Sequence, residues 1–468
     1  MTSNPKRWAI LQIINMGTLM STLDVGIVNV SLPMMSKQFS VPLAQIQWVS
    51  TIYLLGMAAL LPFLGKLSDR LERRQIYSWG FFIFSLSSLL IVFSHNLFGL
   101  LLSRCLQGLG AAMIMANSQA LVRQLFPDHE RGRALGVNAI VISAGTLTGP
   151  ALGGMLLEFT SWPWLFLINV PLGLIAFILG LRWFPRSKGS GMKGSLDIPG
   201  SLLLAAAVSV LMLAAEASKD SNGFTSAAKV EAAIGLFLIF ALWLYQRRIT
   251  YGIIDRELFS QRKILLGNAS SFFINLSQVA TIIPITFYLQ GQLGYSTSIT
   301  GALLILQPLL MGVVAPFAGW FRDRYGGFFP ITLGSLFCSV SMLSIACFSS
   351  VTVISISFHL VLFGIGMGLF HATNNAEIMS SAPESKISLA GSLLALVRYL
   401  GMIAGIGLAT LLVGDMGYDS SENNVNLSLR VLFGICFLFC MGGAVIGWLR
   451  PRDKPQSQEE VFRTVSRN

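Results

Sequence analysis

Fourteen runs of apolar residues fill most of this 468-residue chain, each about as long as a helix that crosses a bilayer. They lie at 8–34, 46–65, 76–94, 97–120, 134–157, 164–184, 199–217, 230–245, 264–289, 299–320, 328–349, 352–379, 389–413 and 427–449. No soluble fold hides so much apolar length: only 11% of the residues are charged, against roughly 25% in an ordinary soluble domain. In lipid the backbone must satisfy its own polar groups, which makes runs of this kind helices. The expected fold is an all-α polytopic membrane protein of fourteen helices, with no room for a large soluble domain. The first run is too long for a cleavable signal, is interrupted by Asp24, and precedes no small-residue cleavage site.

The cations orient the runs. Of 32 Lys and Arg, 26 fall on one side if both termini share that side. Four fall on the other (Lys37, Lys219, Lys229 and Arg430), and Arg104 and Arg398 lie within runs. Short loops rich in Lys and Arg stay in the cytoplasm, so both termini are expected there, in the cell membrane of a bacterium. The net charge of +11 is therefore a topology signal and points to no nucleic-acid partner. The five cysteines fall inside apolar runs with no disulfide or metal spacing. No nucleotide-binding loop, hydrolase elbow or zinc motif is present, so no cofactor, metal or catalytic residue is expected.

Two short basic loops share one frame. Gly65-Lys-Leu-Ser-Asp69-Arg70 follows the second run, and Gly319-Trp-Phe-Arg-Asp323-Arg324 follows the tenth. A repeated loop implies two related helix bundles, a common transporter plan. The expected organisation is a six-helix bundle at 1–184; a linker, an additional helix pair and an inner-surface segment at 185–262; a second bundle at 263–450; and a polar tail at 451–468.

With these motifs the chain resembles the major facilitator superfamily, and within it the fourteen-helix drug:proton antiporter group, over about residues 8–450. Gly65 through Arg73-Arg74 is similar to the family's inner-loop signature, with Glu72 where the family usually has Gly. Leu100-Leu-Leu-Ser-Arg104-Cys-Leu-Gln107-Gly108 resembles the fourth-helix signature. Gly145-Thr-Leu-Thr-Gly149-Pro150-Ala-Leu-Gly153-Gly154 resembles the fifth-helix antiporter signature. Leu23-Asp24-Val-Gly26-Ile-Val-Asn29-Val-Ser-Leu-Pro33 is similar to the group's first-helix signature, with Gly26 where the family often has Thr, and Trp164 through Gly173 is typical of the group. The resemblance implies alternating-access export of lipophilic, often cationic, drugs in exchange for protons, by a monomer.

The residues themselves bear on that expectation. A charge within a span costs at least ~2.5–3.5 kcal/mol at the bilayer centre, so it faces the protein interior. Asp24 is expected to be an isolated carboxylate in a cavity and the principal protonation site, with Arg104 tuning it and Glu377 as a secondary site. A structural hydrogen-bonding role is the alternative for each, and His371 is more simply a structural donor. Asn15, Asn29, Gln107, Gln278, Gln307, Asn374 and Arg398 are cavity candidates, because polar groups avoid lipid. Gly65, Asp69, Arg70, Arg73, Asp323 and Arg324 are read as inner-loop gating residues or, alternatively, solvated anchors. Gly145, Gly149 and Gly153, four apart, share one helix face; with Pro150 and Gly154 they are read as a pivot between bundles or as plain tight packing. Three competing functions stay open: export of one native metabolite, siderophore or lipid; uptake by symport; and a multi-span membrane enzyme.

Overall fold

The apolar runs fold as helices, and three of the spans are broken by short steps. The structure is a computed structural model that describes residues 6–126, 128–184, 197–217, 225–249, 258, 260–347, 351–383, 387–413 and 422–451. The first bundle holds α1 (Arg7–Phe39), α2 (Leu43–Ile46), α3 (Trp48–Arg70), α4 (Arg73–Val92), α5 (Leu97–Leu125), α6 (Asp128–Phe159), α7 (Pro163–Leu167) and α8 (Asn169–Trp183). α2 with α3, and α7 with α8, each make one span. An additional pair follows, α9 (Ile198–Ala217) and α10 (Ser226–Arg248). The second bundle holds α11 (Arg262–Phe287), which runs into a π-helical turn at Tyr288–Gln292, then α12 (Thr297–Leu304) and α13 (Leu306–Tyr325) as one span. α14 (Phe328–Cys347), α15 (Val353–Ser381), α16 (Ile387–Val413) and α17 (Glu422–Trp448) complete it. Thirteen of these spans are long and apolar enough to cross a membrane by composition among the described residues. α6, at 32 residues, is the fourteenth.

The two bundles repeat one pairing scheme. In the first, α1 packs on α6, α3 and α4 pack on α5, and α4 packs on α8. In the second, α11 packs on α16, α13 and α14 on α15, and α14 on α17. Close helix approach comes from small residues, as membrane packing requires: a Cβ on Gly108 of α5 would sit 2.7 Å from the Tyr53 carbonyl of α3. The additional pair lies on the seam. α9 contacts α3 of one bundle and α16 of the other, with Gly407 facing Met212. α10 packs on α9 and turns Leu236, Phe237 and Phe240 outward, an apolar face suited to lipid.

One end of the molecule, the basic end, carries Arg7, Arg73, Arg248, Arg262, Arg322, Arg324 and Arg450. The linker after 184, most of the inner-surface segment and the tail after 451 lie outside the described residues. Of that inner-surface segment, Leu258 is fully buried in a small cluster with Ile264, Ile378 and Leu393.

Candidate functional site

Asp24 sits mid-way along α1, and Arg104 lies two turns into α5. Both side chains are 1% exposed. Arg104 Nη1 donates to Asp24 Oδ2 at 2.7 Å and to Gln107 Oε1 at 2.5 Å. Gln107 Nε2 donates to Asp24 Oδ1 and to Ser88 Oγ of α4, each at 3.0 Å. Arg104 Nε donates to the Val49 carbonyl at 3.0 Å. The guanidinium lies over the Tyr53 ring, 4.4 Å from its centroid, and near that of Phe166 at 5.7 Å. α1, α3, α4, α5 and α7 thus converge on one ion pair. The spacing of Arg104 and Gln107, three apart, puts both on one face of α5.

The expectation of an isolated Asp24 is corrected here. The carboxylate has an immediate counter-ion and an amide donor, so its charge is cancelled within the bundle. A buried charge without a partner is strongly unfavourable, whereas a paired and hydrogen-bonded one is tolerable. The chemistry on offer is a carboxylate whose protonation would dissolve an ion pair, while Arg104 keeps Val49, Gln107 and two aromatic faces.

The glycine face of α6 is also corrected. The nearest neighbours of Gly145, Gly149 and Gly153 lie on α1 and not on the second bundle. These glycines receive α1 of their own bundle: a Cβ on Gly145 would overlap Thr22 Oγ1, one on Gly149 would lie 2.9 Å from the Leu23 carbonyl, and one on Gly153 3.2 Å from Ile27 Cα. Gly26 of α1 completes the contact, its Cβ position 2.7 Å from Pro150 Cδ, which explains a glycine there. Gly154 lies about 100° further round the helix and meets the second bundle across the seam. A Cβ on it would overlap the Thr297 carbonyl of α12, and one on Gly301 would overlap the Pro150 carbonyl.

Among the described residues, two side-chain bonds join the bundles near the same end. Thr410 of α16 donates to Gln47 Oε1 at the α2–α3 step. Gln290 Nε2, in the π turn, donates to the Val30 carbonyl of α1 at 3.1 Å. Together with Gly154–Gly301, these contacts close the seam at the end opposite the basic one.

Residues 14–406 match the family model described as Major Facilitator Superfamily. The chain belongs to this superfamily. It is 34% identical over 401 residues to the riboflavin transporter RibZ of Clostridioides difficile (strain 630), covering 86% of this chain and 87% of that one. It is 30% identical over 428 residues to the uncharacterized transporter YebQ of Escherichia coli (strain K12), covering 91% and 92%. It is 30% identical over 417 residues to the putative multidrug resistance protein MdtD of Escherichia coli (strain SMS-3-5 / SECEC), covering 88% and 87%. The fold is similar to that of the human organic anion transporter MFSD10 (TETRAN), with a TM-score of 0.59 at 15% identity, covering 93% of this chain and 100% of that one. The protein is thus a multi-pass membrane transporter of the superfamily and not an enzyme.

The remaining candidates of this superfamily member lie apart from the Asp24 pair. Asn15, buried, accepts from Asn138 Nδ2 of α6 at 3.0 Å, and the same amide donates to Thr18 Oγ1; Asn138 was not singled out in the sequence. Gln307 is buried and donates to Met367 Sδ at 3.2 Å. Asn29 and Gln278 are half-buried on α1 and α11. Arg398 lies 5.5 Å from the Tyr399 ring centroid. His371 meets the Phe370 ring edge-on.

Glu377 and Asn374 are drawn to the basic end. Glu377 Oε1 accepts from Arg322 Nε at 3.4 Å, and Asn374 Oδ1 accepts from Arg450 Nη2 at 2.7 Å. Neither joins the Asp24 cluster. Arg324 is exposed and leans on the Trp320 and Tyr325 rings, 5.7 Å from each centroid; Arg322, not flagged in the sequence, is the arginine of that loop that reaches α15. Gly65, Asp69 and Arg70 end α3 and Asp323 lies in the last turn of α13, but their side chains are outside the described residues. Arg73 opens α4, half-buried. Glu72 before it has φ −78°, a conformation open to any residue, and pairs with Arg74 at 3.8 Å, so the loop turns without the family's glycine.

Proposed function

We propose that this protein exports amphipathic small molecules from the bacterial cytoplasm in exchange for protons, by alternating access, as a monomer with both termini cytoplasmic. The carrying observation is the buried Asp24–Arg104–Gln107 cluster, a titratable ion pair in the bundle that also provides the α6 seam. In the present conformation the far end is closed by Gly154–Gly301, Gln47–Thr410 and Gln290–Val30, and Asp24 is out of reach of water. A proton reaching Asp24 when the bundles rock abolishes the ion pair and changes which packing is preferred; a ligand shifts such an equilibrium only by binding the two states differently. Similarity to the MdtD proteins supports drug-like cargo, lipophilic cations among them.

A second reading has its own support. Arg104 neutralises Asp24, so the pair offers no standing negative charge to attract a cation, and a relative at 34% identity carries a riboflavin-transporter name. Both favour a neutral, planar, polar cargo of the riboflavin kind.

Everted membrane vesicles with an imposed pH gradient, acid inside, separate the readings. Radiolabelled riboflavin and a panel of lipophilic cations are offered in turn. Accumulation that a protonophore collapses is the expected result, and the cargo that accumulates selects between the readings. Accumulation untouched by the protonophore, or movement only in the reverse direction, would contradict proton-coupled export.

A further inference from the structure

Ser88 is what α4 brings to the Asp24 cluster, and it is fully buried, as is Gln107. Its hydroxyl has one proton and places it on the Phe84 carbonyl one turn back, at 2.7 Å. Toward Gln107 it therefore accepts, taking a bond from Nε2 at 3.0 Å. On the other side of the amide stands Arg104, which has donors and no acceptor; its Nη1 meets Gln107 Oε1 at 2.5 Å. An accepting neighbour on one side and a donor-only neighbour on the other leave the Gln107 amide a single orientation.

That orientation decides what Asp24 meets. The second Nε2 proton points at Asp24 Oδ1, 3.0 Å away, while Oδ2 receives Arg104. Each oxygen thus faces an N–H, which answers a carboxylate oxygen and cannot answer the O–H of a carboxylic acid. An amide turned over would offer Asp24 an acceptor instead. The charged and titratable groups around Asp24 are Arg104 of α5 and Tyr53 of α3, with Tyr399 of α16 beyond Tyr53 and Arg398 beside Tyr399. α7, and α6 over 145–153 where it meets this part of α1, contain no ionisable residue.

We propose that Ser88 is a positioning residue for the protonation of Asp24: it holds the Gln107 amide with its nitrogen toward the carboxylate, and so sets the pH at which Asp24 takes up a proton. The proposal rests on the reading of Asp24 as the coupling site. Protonation obliges one carboxyl oxygen to turn from its donor. Gln107 cannot follow, because turning over would set Nε2 against Arg104 and draw the Ser88 proton from Phe84. Without the Ser88 hydroxyl, one Nε2 proton loses its acceptor and the amide is free to tilt away from Asp24, so the neutral carboxyl forms more readily. Ser88 touches neither proton nor cargo; it acts through Gln107, as a linked network allows.

Infrared titration of the full-length, detergent-purified protein tests it, under equilibrium conditions in which rocking of the bundles gives Asp24 access to solvent. The protonated-carboxyl band of Asp24 is the part of the spectrum lost in Asp24→Asn, and its midpoint is followed against pH. Ser88→Ala should raise that midpoint by about half to one pH unit, the worth of one hydrogen bond. Ser88→Thr keeps a hydroxyl that can bond the same carbonyl and should stay near wild type. Ser87 is the control: it is as buried, and its hydroxyl donates to the same Phe84 carbonyl at 2.9 Å, but it lies about 100° round α4 from Ser88. Ser87→Ala should leave the midpoint in place. An unmoved or lowered midpoint in Ser88→Ala, or an equal rise in Ser87→Ala, would overturn the role of Ser88 while leaving Asp24 as the coupling site. A wild-type protein with no Asp24 band at any pH would overturn both.

Discussion

Arg104 Nη1 and Asp24 Oδ2 lie 2.7 Å apart with both side chains 1% exposed, which makes the two residues a single unit for stability and for charge. Taking one away strands the other in the interior. Asp24→Ala should therefore cost about 3–5 kcal/mol, read as a large fall in the midpoint of thermal unfolding in detergent. Asp24→Ala combined with Arg104→Gln should recover a substantial part of that loss, because no bare charge is left. A double variant as unstable as the sum of both single changes would show that the two residues act independently.

The two faces of α6 make different predictions. Gly149→Leu drives a side chain into the Leu23 carbonyl and Gly26 of α1, so it should destabilise the first bundle itself by at least ~1–3 kcal/mol, the usual cost of overpacking. Gly154→Leu meets α12 across the seam. It should leave the unfolding midpoint near wild type and abolish transport by blocking closure. Unfolding curves and vesicle transport on the same preparations check both; full transport by Gly154→Leu would remove the seam from the mechanism.

Closure at the far end can be trapped. Gln47 and Thr410 are hydrogen-bonded across the seam, and cysteines at both positions should be bridged by a short bis-thiosulfonate reagent. The bridged protein should be inactive and recover on reduction. Bridging without loss of transport would mean that this end stays shut throughout the cycle.

Much of this was legible in the chain. The cost of charge within a span picked out Asp24 and Arg104, and the three-residue spacing added Gln107. That Arg104 tunes Asp24 was expected; that the two form a closed, direct ion pair was not, because nothing in one sequence sets the register of α1 against α5 across 80 residues. The glycine spacing on α6 announced close packing, yet helical periodicity says which residues share a face and not which helix they meet; hence α1, and not the second bundle, against Gly149. Glu377 read as an intramembrane acid because α15 runs on to Ser381 at the basic end, where Arg322 takes it. Arg450 escaped notice because it falls one step past an apolar run and reads as a tail cation.

Orientation rests on the uneven cation count and has a direct test. Cysteines placed at Ser187 and Ser457 should be protected from a membrane-impermeant maleimide in intact cells and labelled after permeabilisation. Strong labelling in intact cells at either position would invert or break the fourteen-span map.

Proton release on cargo addition is the measurement closest to the central claim. Purified wild-type protein in weakly buffered detergent solution should release protons when a transported cargo is added. Asp24→Asn, which keeps a hydrogen-bonding side chain but cannot ionise, should insert normally, release none and lose pH-driven export; Glu377→Gln should still release them. Wild-type proton release and export by Asp24→Asn would contradict the account, and silence in Glu377→Gln alone would move the coupling site to the second bundle.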